Sequence, residues 1–338
     1  MKRSLVSLCG GLCIVFSGFC GWATQVPQAL TSGAPALTTF KDVMYLAWEG
    51  DRAVGTRQTW FATFDGGTWS DQAEIPGSFT TTAPALAATS QTVYLAITPP
   101  NTGNIDIYVL GANGFTLLGP LCQGSTCAET VASPALFGVG SVLYAAWTTP
   151  TGSLMYAEYI NGEWLIAANP IPNASSNSDT GPALAAFQDQ LYLAWTDAPA
   201  GAVSVISTAL PLSDTSWSNP AVQVAASTSV APALGVFTAF NSPPSQSLFL
   251  AWTTAASTIR FAEHDSQTDA WSLVGSPIPL PKGALTTLAP ALNGSVYETH
   301  TETCIYTNDV AYTALEPPDS IDDGRQKHSF KKNLSGCP

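Results

Sequence analysis

Apolar residues recur along this chain in short alternating runs, and one run is written five times. LYLAW stands at 191–195, with near-copies MYLAW (44–48), VYLAI (93–97), LYAAW (143–147) and LFLAW (248–252). Alternation with period two is the mark of a half-buried strand. It puts Leu191, Leu193 and Trp195 on one face and Tyr192 and Ala194 on the other, both apolar. A Pro-Ala-Leu triplet precedes each run, starting at Pro35, Pro84, Pro134, Pro182 and Pro232, and a further triplet starts at Pro290. The spacings are 49, 50, 48, 50 and 58 residues.

A third apolar run follows in most units: TWFATF (59–64), DIYVL (106–110), LMYAEY (154–159) and IRFAEH (259–264). Then come Asp65-Gly66, Asn113-Gly114 or Asn161-Gly162. These pairs are strong hairpin signals, because both turn positions need positive φ. An aromatic residue opens a fourth run: Trp69, Phe115, Trp164, Trp217 or Trp271. Four strands in a unit of 40–50 residues predict a blade of a β-propeller. No segment keeps a 3.6-residue period, which excludes a helical solenoid. The fold class expected is therefore all-β, a propeller of four-stranded blades, with six blades favoured over five. The short sixth unit (ALNGSVYETH, TCIYTND, VAYTALE) supplies three strands. Its fourth is expected from the N-terminus, because TQVPQALTSGAPAL aligns with AEIPGSFTTTAPAL. Such a strand closes the ring and removes the open sheet edge.

Residues 1–23 combine Lys2 and Arg3, an apolar run and the small residues Gly21 and Ala23. That is the pattern of a secretory leader, with cleavage expected after Ala23. The domains are then leader 1–23, propeller 24–315 and a charged tail 316–338. The chain carries a net charge of −13, or −15 without Lys2 and Arg3. Such a surface repels nucleic acid and anionic membranes. After leader cleavage no membrane insertion is expected, and the protein is expected to be secreted, with the periplasm or the cell surface as alternatives, as a monomer without cofactor.

Three of the seven cysteines lie in the leader, leaving Cys122, Cys127, Cys304 and Cys337. An even number in an exported chain points to disulfides. Cys122 and Cys127 bracket QGST and are expected to staple one loop. Cys304 and Cys337 would then tie down the tail. No ligand spacing suits zinc, and no metal is expected.

TSGAPALTTFKDVMYLAWEG and SDTGPALAAFQDQLYLAWTD resemble the repeats of secreted microbial propellers, grouped with sialidase-like or lectin-like propellers. The resemblance covers roughly 31–275. It implies the fold directly and carbohydrate or surface-ligand binding only loosely, since propellers host many functions.

The tryptophans of the repeat read as core rather than as sugar platforms. Trp48, Trp147, Trp195 and Trp252 form a column in which unit two has Ile97, and Ile97 offers bulk but no flat ring. Trp60 lies outside both tryptophan columns. Aligned units place Ile107, Met155, Val205 and Arg260 at its position, a mixed set unlike uniform core. Beside it the loop 49–58 carries Glu49 and Arg57. Trp60 and Arg57 are the leading candidates for ligand binding, with Glu49, Arg260, Glu158 and Glu263 behind them. The inter-blade loops 77–82, 173–181 and 226–230 share a face with the 49–58 loop. Their Ser, Thr and Asn side chains suit sugar hydroxyls, and they suit turns equally well.

The expected function is non-catalytic binding of a glycan or another surface ligand. A sialidase-like glycoside hydrolase is the enzymatic alternative, and a structural or protein-binding propeller the third. A sialidase needs three converging arginines, which Arg52, Arg57, Arg260 and Arg325 are poorly distributed to give. A general glycosidase needs two carboxylates, for which Glu49, Glu158 and Glu263 are candidates. No catalytic residue is assigned.

Overall fold

A computed structural model describes residues 21–279 and 311–315, apart from short internal stretches (27–28, 30, 32, 51–56, 66–67, 101, 168, 173, 177–179, 198–200, 211–216, 219–221, 225–227, 240–244, 255 and 257). The described residues form strands and no helix. Strand β1 (Gly21–Gln25) comes first. Sheet 1 holds β2 (Ala36–Phe40), β3 (Val43–Glu49), β4 (Gln58–Phe64) and β5 (Ala73–Phe79). Sheet 2 holds β6 (Ala85–Ala88), β7 (Val93–Ile97), β8 (Asp106–Gly111) and β9 (Gly114–Pro120). A small hairpin, β10 (Cys122–Gln123) and β11 (Thr126–Cys127), precedes sheet 3. Sheet 3 holds β12 (Ala135–Val139), β13 (Val142–Thr148), β14 (Leu154–Ile160) and β15 (Glu163–Ile166). Sheet 4 holds β16 (Ala183–Phe187), β17 (Gln190–Thr196), β18 (Val203–Ala209) and β19 (Val222–Val224). Sheet 5 holds β20 (Ala233–Ala239), β21 (Ser245–Thr253), β22 (Thr258–Asp265) and β23 (Ala270–Pro279).

Each sheet is an antiparallel meander, so the four-stranded repeat expected from the sequence is what forms. The first strands of successive sheets touch, and residues of β2, β6, β12, β16 and β20 line one cavity of about 320 Å³. The sheets therefore stand radially around a common centre, whose lining includes Leu86, Leu136, Leu184 and Leu234. Strand β24 (Ala311–Leu315) pairs antiparallel with β1. An N-terminal strand thus joins the last described strand, the pairing expected of a closing strand. The strand straddles Ala23, the expected cleavage point, and Thr24 and Gln25 pair with Tyr312 and Ala311. The remaining strands expected in the sixth unit lie outside the described residues, as do most of the expected leader and the charged tail.

The apolar alternation is spent on packing between sheets. Leu191, Leu193 and Trp195 of sheet 4 are buried with Tyr144, Ala146 and Tyr156 of sheet 3. Tyr192 and Ala194, on the other face, are buried with Leu248, Leu250 and Trp252 of sheet 5. Trp48, Trp147, Trp195, Trp252 and the substituted Ile97 are all buried. In the second aromatic column Trp164, Trp217 and Phe115 are buried, while Trp69 and Trp271 are half-buried against the core clusters. The core reading holds for the whole LYLAW column, since a sheet wedged between two others needs apolar filling on both faces, and for the buried members of the second.

Two of the tight turns were not legible as such. Asn161-Gly162 has the positive φ that its residues favour. Lys41-Asp42 (φ 50° and 62°) and Gln188-Asp189 (49° and 59°) adopt the same left-handed conformation without glycine or asparagine. Pairing of the flanking strands forces the turn on residues that disfavour it.

The linkers between sheets contradict a ligand role for many of their hydroxyls. Thr31, Thr80, Thr130 and Thr228 each stand four residues before a repeat proline. Each donates its hydroxyl to the carbonyl two residues on and accepts that residue's N–H. Ser78, Thr80, Thr82, Ser176, Thr180 and Thr228 are buried. The hydroxyls close turns locally, where backbone groups would otherwise be buried unpaired. Thr148 Oγ1 donates to Thr180 O at 2.9 Å, and Thr196 Oγ1 to Val230 O at 2.7 Å. Each ties a second strand to the linker entering the next sheet.

Candidate functional site

Trp60 stands directly opposite Trp48 in the β3–β4 pair and opposite Glu74 in the β4–β5 pair. Directly opposed residues share a face, so the Trp60 ring lies on the Trp48 side. It packs against Val26, Ala29, Leu46 and Ala62 but stays half-buried, while Trp48 is fully buried.

The outer strand bulges at this level. Gln58 pairs with Phe79 and Trp60 with Glu74, so β5 carries extra residues between them. Pro76, which has no N–H to give a ladder, falls in the bulge. Polar side chains fill the gap: Gln58 Nε2 donates to Ile75 O at 2.6 Å, Thr59 Oγ1 to Ser78 O at 2.7 Å, and Ser78 Oγ to Ile75 O at 2.7 Å. Sheet 5 breaks register at the same level, between Ile259 and Phe261, on either side of Arg260. Bulges of this kind re-aim side chains and interrupt pairing.

The ladder also corrects the column to which Trp60 belongs. Residues opposite the repeated tryptophan position are Trp60, Asp106, Met155, Ser204 and Arg260. Asp106 and Ser204, not Ile107 and Val205, are the equivalents, because the loops between second and third strands differ in length. Ile107 and Val205 are buried on the opposite face. The corrected column is more polar than the sequence alignment implied.

Glu49 joins this end of sheet 1, paired with Thr59 one residue from Trp60. Its repeat equivalents are Thr98, Thr148, Thr196 and Thr253, and like them it is buried. Gly33 faces it closely: a Cβ on Gly33 would sit 2.9 Å from Glu49 Oε2. Arg57 is exposed, and its carbonyl accepts Thr80 N–H at 2.9 Å. Arg57, Trp60 and the exposed Glu74, which sequence reasoning missed, stand at one end of sheet 1, while Glu49, opposite Thr59, lies buried on the other face. No spacing could have marked Glu74, because only the bulge sets its partner. Most of the 49–58 loop, with Arg52, lies outside the described residues.

The other candidates are elsewhere. Arg260 holds the same column position in sheet 5, half-buried. Glu158 pairs with Tyr144 and Glu263 with Phe249, so the two glutamates are equivalent, as expected. They lie three residues further along their strands than the Trp60 column, on the opposite face. Sheet 4 stands between them. Packed sheets are about 10 Å apart, which separates these carboxylates by on the order of 20 Å. A glycosidase pair needs about 5–9.5 Å. Glu158 and Glu263 are therefore not a catalytic pair with each other.

Burial pushes the Glu158 carboxyl up, and burial and the Glu158 charge push up the Tyr144 hydroxyl. Burial likewise raises Asp106, which sequence reasoning missed, and with it Tyr108 is raised by burial and then by the Asp106 charge. Tyr108 Oη donates to Gly77 O in the sheet 1 bulge at 3.2 Å. Among the described residues no group of three or more His, Cys, Asp or Glu is placed to hold a metal ion. Cys122 and Cys127 form the expected disulfide. A disulfide of this kind fits an oxidising compartment. Cys304 and Cys337 lie outside the described residues.

Radial four-stranded meanders around one centre decide the architecture. The fold is a β-propeller. Solved structures agree: a mutant of the Aleuria aurantia lectin AAL, in complex with Fucα1-6GlcNAc, superposes with TM-score 0.58 and 13% identity, covering 89% of this chain and 100% of that one. The SapL1 lectin in complex with alpha methyl fucoside gives 0.55 and 13%, covering 80% and 88%. AofleA from Arthrobotrys oligospora gives 0.54 and 13%, covering 75% and 74%. No family model and no curated protein matches the sequence.

Proposed function

We propose that this propeller is an exported, non-catalytic binder of glycans, with its ligand surface at the Trp60 end of sheet 1. The carrying observation is Trp60 itself, half-exposed at a bulge while its cross-strand partner Trp48 is buried. An aromatic ring open on one side offers a stacking face to the apolar side of a sugar ring. Arg57 and Glu74 supply donors and acceptors for hydroxyls beside it. Similarity of fold to lectins crystallised with fucosides supports the ligand class, not a shared site. Arg260 occupies the equivalent column in sheet 5 and serves a related contact there.

The domains proposed are leader 1–23, a six-bladed propeller over 24–315 and a charged tail. The two pairs that cleavage after Ala23 would leave, Thr24 with Tyr312 and Gln25 with Ala311, support a further blade at the junction of the termini. A glycan-array screen of the exported protein, repeated with Trp60→Ala, tests the binding reading. Binding by the parent and loss in the variant are expected. Silence across the array with hydrolysis of a fluorogenic glycoside overturns it in favour of a hydrolase. Binding to a protein that survives Trp60→Ala and excess free sugar overturns it in favour of a protein-binding propeller.

A further inference from the structure

We infer that the Cys122–Cys127 hairpin is a redox-sensitive clasp that closes the outer edge of sheet 3. This inference stands apart from the glycan reading. The hairpin crosses from the end of sheet 2 to the rim of sheet 3, and Gln123 Oε1 accepts the Ile166 N–H at 3.0 Å. Ile166 belongs to β15, the edge strand. Its neighbour Ala167 turns its N–H inward to Tyr156 O at 3.1 Å, so the Ile166 N–H points outward, away from β14. An outward N–H on an edge strand is a template for pairing with another chain. The Gln123 side chain occupies that position as a partner strand would.

The clasp also walls a groove of about 450 Å³ between the outer strands of sheets 2 and 3. Cys122, Gln123 and Gly124 form one wall, and Tyr159 and Trp164 line it. Leu118 and Leu165 line it too, 44% and 46% exposed.

The disulfide holds the tip where little else does. The tip ladder has only the pairs Cys122↔Cys127 and Gln123↔Thr126, too few to persist alone. The base is anchored differently. Leu121 and Ala128 are buried between sheets 2 and 3. Leu121 N donates to Ile105 O at 2.7 Å, and Ala128 N to Leu121 O at 2.9 Å. Breaking the disulfide therefore frees the tip and spares the propeller.

A small-molecule dithiol is the reductant. Its thiolate attacks one sulfur and displaces the other cysteine, leaving a mixed disulfide; its second thiol then displaces the first cysteine. Two electrons and two protons pass to Cys122 and Cys127, and the reductant leaves as a cyclic disulfide. Gln123 then leaves Ile166, and the groove loses its wall.

Hydrogen–deuterium exchange of the full chain, with and without dithiothreitol, reads the clasp directly. Exchange at the Ile166 amide is expected to rise ~10-fold or more on reduction, while β13 and β14 amides stay protected. Gln123→Ala should raise it with the disulfide intact. Cys122→Ser/Cys127→Ser should raise it without reductant and remove the response to it. Unchanged Ile166 exchange on reduction overturns the proposal. So does a response that survives in the double variant, since it then originates in other cysteines.

Discussion

Trp48 and Trp60 face each other across the β3–β4 ladder, on one side of sheet 1, yet one is fully buried and the other half-exposed. The difference separates structure from function within a single pair. Trp48 belongs to the repeated core column. Truncating it to alanine is expected to cost ~3–5 kcal/mol, the usual loss for a buried aromatic. Trp60→Ala should cost much less and should remove glycan binding. Urea unfolding of both variants beside glycan-array binding checks the split; equal destabilisation by the two would assign Trp60 to the core.

The linker hydroxyls carry a second expectation. Thr196→Val keeps the shape but takes from the buried Val230 carbonyl the shorter of its two hydroxyl donors, leaving only Thr228 Oγ1 at 3.4 Å. Loss of one such bond costs about 0.5–1.5 kcal/mol, because the carbonyl keeps a second donor. Thr148→Val should behave alike, since the Thr180 carbonyl keeps Ser176 Oγ at 3.3 Å. Both variants are expected to lower the thermal midpoint without changing ligand affinity, and unchanged midpoints would show that the ties are dispensable.

Left-handed turns without glycine offer a stabilising change. Asp189 has φ 59°. Gln188→Gly, beside it at φ 49°, relieves that conformation and should raise stability by about 1 kcal/mol, the cost of left-handed geometry for a residue with a long side chain, whereas Asp189 tolerates it. Lys41→Gly, at φ 50°, should add independently, the two turns lying in different sheets. Thermal melts of the single and double variants measure it.

Two half-buried carboxyls set a pH dependence. Burial raises both Glu158 and Asp106. A raised acid binds its proton more tightly in the folded state, so the folded form holds more protons than the unfolded one between the ordinary and the raised value. Stability contributed by these groups is then present below the ordinary carboxylate range and falls as pH rises through the raised values. Glu158→Gln and Asp106→Asn should flatten that fall, so each variant gains on the parent as pH increases above about 4. Melting temperatures from about pH 3.5 to about pH 6.5, compared as variant minus parent, test the sign across the carboxylate range. Asp265, whose hydrogen bonds from Thr268 and Gln267 lower it, pulls the parent curve the other way and cancels in the difference.

Much of the fold was legible because its causes are local. Period-two alternation in LYLAW assigns Trp195 and Tyr192 to opposite faces whatever surrounds the strand, and the 49-residue unit repeats that pattern until the architecture is determined. Ile97 in the tryptophan column already showed that bulk, not a flat ring, is required there. The Cys122–Cys127 bond followed from a five-residue separation around a turn. The linker hydroxyls were ambiguous because serine and threonine suit turns and sugars alike, and only burial tells which bond they make. The Lys41-Asp42 turn was hidden because neither residue advertises positive φ.

The third-strand column marks where sequence stopped and tertiary structure began. The sequence by itself determined that a mixed column existed and that Trp60 stood in it. Tertiary structure alone decided that Asp106 and Ser204, rather than Ile107 and Val205, share it, and that Glu74 lies beside Trp60. A slip of one residue moves a side chain to the other face of a sheet. That register is set by hydrogen bonds across loops of unequal length and by a bulge in the outer strand, which connect residues far apart in the chain and leave no period to read.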